Sequence, residues 1–509
     1  MALQKVLGIE TEFGILVRGA PEANPIAASS VLINAYVSEL ARSTPGHPSA
    51  PKVGWDFEDE HPGNDARGFA PQGTMAPEVE THLVNAVLTN GARYYVDHAH
   101  PELSTPECAD PRSIVQWDRA AEVILQRSMV AARRTLPEGQ ELVIYKNNSD
   151  GKGNSYGCHE NYLMDRQVPF GRIVAHAIPF FVSRQVFCGA GKTGTEATGS
   201  DKASVPFQIS QRADFFEEEV GLETTLKRPI VNTRDEPHAD AQKYRRLHVI
   251  IGDANLSEVA TFLKVGTTAL MLCMVEDEFL PREWRLAAPI QALRLVSRDL
   301  TMRQPLELAE GGSATALEIQ WEFFDRAKKY ADAFGLDAIG GDEIGGDVLA
   351  RWEQALVGLE TDPTTLASTV DWVAKHRLLE GYRDRHGLDW TDARLAAMDI
   401  QYHDLRPDKG LAARVGLERL IGDDDVEHAV AHPPPETRAW FRGECLRRFP
   451  EAIVAANWDS LVFDIGGDPL RRVPMMEPLR GTQAMVGSLL DRCATAGELI
   501  AALDAAAKS

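Results

Sequence analysis

Pairs of polar residues that stand two positions apart recur in four otherwise apolar segments of this 509-residue chain. Successive side chains of a β-strand point to opposite faces, so residues two apart share a face. The pattern therefore predicts strands that each turn polar side chains to one side. For any single pair, a solvated strand face is the simpler explanation. The four sets are Glu10 and Glu12; Arg93, Tyr95 and Asp97; His159 and Asn161; and Arg246 and His248.

If these strands belong to one sheet, its polar face collects carboxylates and guanidinium groups. Mg²⁺ prefers hard oxygen ligands and substrate phosphates, and Glu10, Glu12 and Glu102 supply carboxylates. Arg93 and Arg246 have the charge that stabilises a transferring phosphoryl group. The pattern indicates a site for phosphates and metal.

Three further residues on these segments complete the predicted site. Asp97 stands among cationic residues, which favour its ionised form as a nucleophile or base. His159 and His248 are less usual ligands for Mg²⁺, because imidazole prefers softer metals.

The order of patterns along the chain predicts an α+β fold. Residues 5–17 are interpreted as a strand, 28–42 as a helix and 81–90 as a short helix. Between about residues 141 and 260, alternation of polar and apolar residues favours antiparallel strands. Helical patterns dominate from about 257 to 420.

Two breaks suggest the domain organisation. Residues 43–80 hold six prolines and five glycines, which is typical of a flexible functional loop. The sequence His432-Pro-Pro-Pro-Glu436 is typical of a linker. We expect a large domain over residues 1–432, with the insert at 43–80, and a small domain over 433–509.

The net charge and the cysteine content limit which binding partners and which cellular compartment are expected for this protein. A net charge of −22 argues against nucleic acid or an anionic membrane as the main partner. The six cysteines form no CxxC pair, so neither a zinc site nor a disulfide framework is indicated. We expect reduced thiols and a cytoplasmic protein. No signal peptide and no apolar run of spanning length is visible, and a monomer is expected.

Arginines are dense between residues 205 and 250, at positions 212, 228, 234, 245 and 246. This cluster is the best candidate for contact with an anionic partner, although ion pairs with Asp214, Asp235 and Glu236 could also explain it. The glycine-rich stretch from Gly189 to Gly194 lacks the first glycine of a P-loop, and a turn is expected there.

Several long motifs give the chain a family resemblance. GIETEFG, NGARYYVDHAHPE, STPE, YGCHENYL, FQISQRADFFE, RPIVNTRDEPHADAQKYRRLHVIIGDANLSE and NWDSLVFD resemble the Pup ligase/deamidase family. That family shares the carboxylate-amine ligase fold of glutamine synthetase, which implies a large domain with a curved antiparallel sheet and a small C-terminal domain. The insert at 43–80, the spacing in YYVDHAHPE and the segment QYHDLRPDKGLA resemble the deamidase branch rather than the ligase. Leu103 departs from the pattern, since an aromatic residue is common there.

The resemblance implies an amidohydrolase that uses ATP (or ADP) and Mg²⁺. It would convert the C-terminal Gln of Pup, the prokaryotic ubiquitin-like protein, to Glu and would cleave Pup from lysines of pupylated proteins. Asp97 would attack directly, or would activate a water or a phosphate derived from ATP. The alternatives are a Pup ligase, a small-molecule ligase of the glutamine synthetase type, and a non-catalytic scaffold that binds Pup.

The resemblance also implies residue roles. Asp97 matches the catalytic aspartate, and Trp458 would lie beside the adenine. The remaining roles are Mg²⁺ and phosphate binding by Glu10, Glu12, Tyr95, Glu102, His159 and His248; ATP binding by Arg93, Thr105, Asn161, Arg246 and Trp458; and Pup binding by Arg212 and Arg234.

Overall fold

The computed structural model describes residues 1–20, 22–43, 53–58, 60–68, 83–201 and 204–508. The strands are β1 Leu7–Glu12, β2 Gly14–Arg18, β3 Gly54–Trp55, β4 Asn85–Val87, β5 Arg93–Asp97, β6 His100–Ser104, β7 Glu141–Tyr145, β8 Cys158–Asp165, β9 Lys192–Thr193, β10 Phe207–Gln208, β11 Phe216–Gly221, β12 Arg228–Asn232, β13 Tyr244–Val249, β14 Leu306–Glu307, β15 Ser313–Ala314, β16 Ile453–Ala456, β17 Ser460–Phe463 and β18 Arg471–Pro474. The helices are α1 Pro25–Ser43, α2 Pro111–Ala132, α3 Phe170–Cys188, α4 Glu258–Glu276, α5 Pro289–Arg298, α6 Ala316–Phe334, α7 Gly341–Thr361, α8 Asp371–His386, α9 Ala393–Tyr402, α10 Asp423–Ala431, α11 Arg438–Arg448, α12 Gln483–Arg492 and α13 Ala496–Lys508.

The central element is a six-stranded sheet in the order β13-β8-β1-β6-β5-β4, with all neighbours antiparallel. The prediction of an α+β fold is confirmed, and the prediction of antiparallel strands holds for the main sheet. It is wrong for β11 and β12, which lie within the same stretch of sequence but pair in parallel. Two further local predictions are wrong. Residues 5–17 form two strands rather than one, because the chain leaves the main sheet at Phe13 and β2 pairs with β7 instead. The short helix expected within 81–90 is replaced, in the described residues from 83 onward, by the edge strand β4 and a turn.

Strands β5 and β6 form a hairpin whose turn is His98 and Ala99. Proline usually interrupts a strand, so the sequence from His98 to Pro101 by itself suggests that the strand ends there. His98 does turn the chain, with a φ of 52°, but Pro101 and Glu102 continue in β6. The hairpin therefore returns Glu102 to a position directly opposite Tyr95.

Helices α1, α2 and α4 pack against one face of the sheet and bury its apolar side chains. Helix α4 begins at the N-cap Ser257, whose side chain accepts a hydrogen bond from the Ala260 amide. By length and composition α4 could cross a membrane, yet it is fully buried inside the protein. A helix that is apolar on all sides is also what a core position between α2, α3 and α7 requires.

A second, smaller hydrophobic core lies in the C-terminal part of the chain. Strands β16 to β18 form its sheet, and β3 from the proline-rich insert adds a fourth strand parallel to β16. Trp55 of that strand is buried in this core together with Trp440 and Phe463. Part of the predicted insert is therefore an ordered component of this sheet, while residues 44–52, 59 and 69–82 of the region lie outside the described residues.

An ion-pair cluster joins the two cores. Glu107, just beyond β6, accepts a hydrogen bond from Arg438 Nε at 2.8 Å and is held from the other side by both terminal nitrogens of Arg442. Arg442 also donates to the carbonyl oxygens of Gly91 and Trp458, each at 3.0 Å. The bidentate geometry fixes the C-terminal part against the edge of the main sheet.

Candidate active site

The face of the main sheet opposite the helices carries all four polar sets. Directly opposed residues in an antiparallel pair share a face. Glu10 is opposite both His159 and Ser104, and Asn161 is opposite His248. Continuing outward, Glu12 is opposite Glu102, which is opposite Tyr95. The expectation that these strands form one polar surface is confirmed by the register.

One end of this polar face is organised around Asn161. Its amide nitrogen donates to Glu10 Oε1 at 2.9 Å, and its oxygen accepts from Arg246 at 2.7 Å and from His248 Nδ1 at 3.0 Å. Arg246 Nη1 also lies 3.5 Å from Glu10. The network fixes the orientation of a carboxylate, a guanidinium and an imidazole relative to one another.

A cavity opens beside this network. It lies between the main sheet and the C-terminal core. Its lining includes Thr105, Asn161, Arg246 and Trp458, four of the residues predicted to bind ATP. The sequence did not single out the other polar lining residues, namely Glu107, His238 and Arg438. These residues are far apart in the sequence, so no local pattern joins them. The clue for Arg438 is that it closely follows the proline-rich break at residues 432–436.

Arg93, the fifth predicted ATP contact, is held in an aromatic sandwich. Its guanidinium lies 4.0 Å from the ring centres of both Trp55 and Tyr95, and its Nε donates to Asn85 at 2.9 Å. Trp55 in turn contacts Trp458 edge to face at 5.3 Å. The insert and the C-terminal core thereby both help to position a cation at the rim of the polar face.

Two groups of side chains on the polar face could hold metal ions. The first is Glu10, His159 and His248, and the second is Glu12, Asp97 and Glu102; within each, one ligand atom from every residue lies within 4.8 Å of the others. The second group offers only carboxylate oxygens, the ligands that Mg²⁺ prefers.

The electrostatics of the second group fit a bound cation. Burial, followed by the charges of Asp97 and Glu12, raises the pKa of the Glu102 carboxyl well above its usual value. A divalent cation bound between these carboxylates would favour their ionised forms and so lower this pKa.

The first group has a donor set suited to a metal or a phosphate. His248 Nε2 is buried and, within the part of the chain that the structure describes, has no hydrogen-bond partner. Burial lowers the pKa of His248 well below its usual value, so the ring is neutral, as a metal ligand must be. Burial opposes ionisation of Glu10, but His159, whose Nδ1 lies 3.6 Å from Glu10 Oε2, and the charge of Arg246 hold the pKa of its carboxyl low.

Asp97 ends β5 at the open side of the second group. Its Oδ2 accepts a hydrogen bond from His98 Nδ1 at 2.9 Å. Burial by itself would raise the pKa of Asp97. The hydrogen bond from His98 and the charges of His98, His159 and Arg93 outweigh burial, and the pKa of Asp97 is lowered. Asp97 is therefore ionised at neutral pH, as a nucleophile or base requires.

The remaining predicted metal residues lie on the same face. Tyr95 contributes a hydroxyl 3.4 Å from Ser104 Oγ. Burial and the Glu102 charge raise the pKa of this phenol, so it is neutral. Glu12 is fixed by the Gly157 amide, which donates to its Oε1 at 2.9 Å.

The predicted arginine cluster is not one surface. Arg245 and Arg246 point to opposite faces of β13, and Arg245 is buried where it donates to the carbonyl oxygen of Val168. Arg212 is also fully buried, and its Nη1 donates to the carbonyl oxygen of Ile250. Consecutive residues of a strand alternate sides, so density in sequence could not produce a continuous cationic patch.

Two members of the cluster nevertheless meet next to the polar face. Arg212 Nε lies 3.4 Å from Ser155 Oγ, and Arg228 donates to the Ser155 carbonyl oxygen at 2.8 Å. Burial, with the charge of Arg228, lowers the pKa of Arg212 to about 10. The buried Nε of Arg234 has no hydrogen-bond partner among the described residues.

The glycine-rich stretch leads from the end of α3 into strand β9 instead of forming the expected turn. Gly189 ends α3, and Lys192 in β9 forms ion pairs with Glu196 at 2.9 Å and Asp214 at 3.2 Å. The lysine is thus neutralised within the fold, unlike the phosphate-binding lysine of a P-loop.

Comparison with known proteins places these features in context. The family described as Pup-ligase protein matches residues 5–462 of the chain. The chain is similar to a depupylase from Acidothermus cellulolyticus, with 54% identity, covering 98% of this chain and 99% of that protein. It is also similar to a Pup deamidase/depupylase from Mycolicibacterium smegmatis, with 48% identity and the same coverage.

Two solved structures are similar in fold. A complex between Pup and its ligase PafA matches with a TM-score of 0.80 and 30% identity, covering 98% of this chain and 94% of that one. The Pup ligase PafA in complex with ADP matches with a TM-score of 0.73 and 35% identity, over 80% of this chain and 89% of that one.

Proposed function

Because the chain belongs to the Pup-ligase protein family, we propose that it acts as the hydrolase of that family rather than as the ligase. It deamidates the C-terminal Gln of Pup to Glu and cleaves the isopeptide bond between Pup and substrate lysines. Identity of 54% to a depupylase over almost the full length of both proteins, against 42% to a Pup–protein ligase over 80% of this chain, supports this choice most strongly.

The geometry supports Asp97 as the catalytic residue. It is ionised, it ends β5 at the rim of the polar face, and it lies within reach of Glu12 and Glu102. Attack on the carbonyl carbon of the side-chain amide or isopeptide, by Asp97 or by a water that it deprotonates, leads to cleavage of the C–N bond. Water supplies the hydroxyl group, and the nitrogen leaves as ammonia or as the lysine amine.

The cavity beside Asn161 is proposed to hold the nucleotide. Trp458 forms the wall next to the adenine, Thr105 and Asn161 line the middle, and Arg246 faces the phosphates. Arg93, held between its two aromatic rings, adds a second cation for phosphate oxygens.

Mg²⁺ is proposed to bind through the two groups that contain Glu10, His159 and His248, and Glu12 and Glu102, with Tyr95 beside them. Bound there, it would supply positive charge that balances phosphate oxygens and the buried carboxylates. Asn161 keeps Glu10 oriented for this role, and Gly157 does the same for Glu12.

Arg212 and Arg234 are proposed to take part in Pup binding, as the resemblance implied. A buried guanidinium without a carboxylate partner is costly, and Arg212 has only carbonyl and hydroxyl acceptors among its hydrogen bonds in the described residues. Together with Arg228 it gives a local positive potential beside Glu12 that suits an anionic part of Pup. The unpartnered Nε of Arg234 offers a further donor.

We further propose that residues 1–432 and 433–509 act as a large and a small domain of a monomer. The separate C-terminal core supports this division, with the addition that β3 from the insert belongs to the small unit. Light scattering coupled to gel filtration tests the monomer.

One incubation tests the function directly. Gln-ended Pup with the protein, Mg²⁺ and ATP should gain the mass difference of an amide-to-acid conversion, read by mass spectrometry. A parallel reaction with Glu-ended Pup and a lysine-bearing acceptor tests the ligase alternative. Joining of Pup to lysine without any deamidation would overturn the proposal, and binding of Pup without either reaction would indicate a scaffold.

A further inference from the structure

The hairpin that carries Asp97 turns through an unfavourable backbone conformation. His98 has a φ of 52°, in the left-handed region that glycine and asparagine adopt far more easily than a histidine. A two-residue hairpin turn would normally place Gly or Asn there. Residues in such conformations cluster at functional sites.

The left-handed conformation has a specific consequence for Asp97. Neighbouring residues of an extended strand point to opposite faces, so their side chains cannot meet. The turn at His98 brings its imidazole to the side of the preceding residue, and Nδ1 lies 2.9 Å from Asp97 Oδ2. The unfavourable φ and the contact with the catalytic carboxylate are therefore one arrangement.

The position of the pair also favours a role in the reaction. The side chains of Asp97 and His98 are 37% and 61% exposed, so they stand at the opening of the polar face rather than in its floor. An exposed pair of this kind contributes little to folding stability. It gains importance when a substrate covers it and excludes water.

We propose that His98 is a positioning residue, which holds Asp97 Oδ2 so that Oδ1 faces the scissile carbonyl. This inference rests on the proposed hydrolase function and on Asp97 as its catalytic residue. A rotation of the carboxylate by one rotamer would move the reacting oxygen by more than an ångström, and displacements of that size lower rates by about 10²-fold. The imidazole acts through Asp97 and need not touch the substrate.

Three substitutions separate the conformation from the hydrogen bond. His98→Gly allows the left-handed backbone but removes the donor. His98→Asn allows the same backbone and retains a side-chain N–H that can reach Asp97. His98→Ala removes the donor and keeps the unfavourable φ. We expect His98→Gly and His98→Ala to lower kcat at least about tenfold and His98→Asn to stay within about threefold of the wild type.

The expected signature distinguishes positioning from loss of structure. KM for Gln-ended Pup and Kd for ATP should stay unchanged, because His98 does not line the nucleotide cavity. The Tm of His98→Gly should equal or exceed that of the wild type while its activity falls. Glu278→Gly is the matched control, since Glu278 has a similar φ of 54° at the end of α4, away from the polar face. Its kcat should equal the wild-type value.

Three results would overturn the inference. His98→Gly with wild-type kcat would show that Asp97 needs no support, and His98→Asn as slow as His98→Gly would show that a donor is insufficient. A lowered Tm in His98→Gly that parallels its loss of activity would assign a structural role. Absence of deamidation by the wild type run alongside would instead reject the proposed function itself.

Discussion

The two groups of carboxylates on the polar face have opposite electrostatic settings. Glu10, at the nucleotide end, has Arg246 at 3.5 Å and His159 at 3.6 Å, and against the effect of burial these neighbours hold the pKa of its carboxyl low. At the reaction end, burial and then the neighbouring carboxylates raise the pKa of Glu102 well above its usual value.

This difference shows how one sheet can serve two tasks. The nucleotide end is organised by cations of the protein itself, so its side chains have fixed orientations before a ligand arrives. At the proposed reaction end, Glu102 has no such cationic partner among the described residues and lies beside two other carboxylates, those of Asp97 and Glu12. We infer that binding of Mg²⁺ changes the reaction end more than the nucleotide end.

The largest expected effect is at Asp97. The Asp97→Asn variant keeps the shape of the site but loses the anionic oxygen, and kcat for deamidation should fall by about 10³- to 10⁴-fold. ATP binding, measured by titration calorimetry, should stay at the wild-type Kd because Asp97 lies outside the nucleotide cavity. Wild-type-like deamidation by this variant would reject Asp97 as the catalytic residue.

The next largest effect is expected at the ion-pair cluster of Glu107, Arg438 and Arg442, which joins the two cores. Glu107→Gln leaves Arg438 and Arg442 buried without their carboxylate, and the free energy of unfolding should drop by about 3–5 kcal/mol. Urea unfolding measures this loss. The control is Glu343→Gln, which removes an exposed partner of Arg112 and should cost less than about 1 kcal/mol.

The same ion-pair cluster predicts that the stability of the protein depends on pH. Burial by itself would raise the pKa of Glu107. The charges of Arg442 and Arg438 outweigh burial and lower this pKa to about 2 in the folded protein. Its stabilising contribution is thus complete above the unfolded pKa of about 4.3 and disappears as the pH falls from there towards 2. In Glu107→Gln this contribution to acid unfolding should be missing. Identical acid profiles for the two proteins would contradict the assignment.

A smaller effect is expected at the adenine wall. Trp458→Ala should raise Kd for ATP by about 10- to 100-fold, the usual loss when one aromatic stacking partner of a base is removed. At saturating ATP, kcat should change little, because Trp458 lines the cavity and Asp97 lies outside it. Trp458→Phe should preserve most of the affinity, and an equal loss in both variants would exclude stacking.

The smallest expected effect tests the electrostatic contrast most directly. In EDTA, Glu102→Gln should stabilise the protein by about 1 kcal/mol, because it removes one of three mutually repelling carboxylates. Excess Mg²⁺ should abolish this advantage. Glu10→Gln should destabilise under the same conditions, since Glu10 has cationic partners. Equal signs for the two variants in thermal unfolding would show that the contrast is absent.

The local sequence pattern was sufficient to predict the strands that carry the site residues. The period of two at Glu10 and Glu12 and at His159 and Asn161 predicted strands with one polar face, and the register confirms a common surface. The pattern failed at residues 85–87, where the short edge strand carries too few residues to show a period. It also failed at the hairpin, since Pro101 sits in β6 although proline usually interrupts a strand.

Amino-acid composition was the least reliable guide to structure in the insert at residues 43–80. Proline and glycine density suggested a loop, but Trp55 is buried in the C-terminal core and its ring packs against Arg93. Deletion of the complete segment 43–80 would therefore remove a strand as well as a loop. The sequence offers a weak clue in Val53 to Phe57, an apolar stretch within an otherwise polar region.

The sequence by itself determined most of the strands and the chemistry of their polar face, because side-chain period and residue type are local properties. The tertiary structure decided which strands are neighbours, and so which carboxylates repel and which are neutralised. It also brought Trp55, Glu107 and Trp458 together from distant parts of the chain. Coulomb energies depend on distances between such residues, and distances across a sheet are set by strand order and register rather than by separation along the sequence.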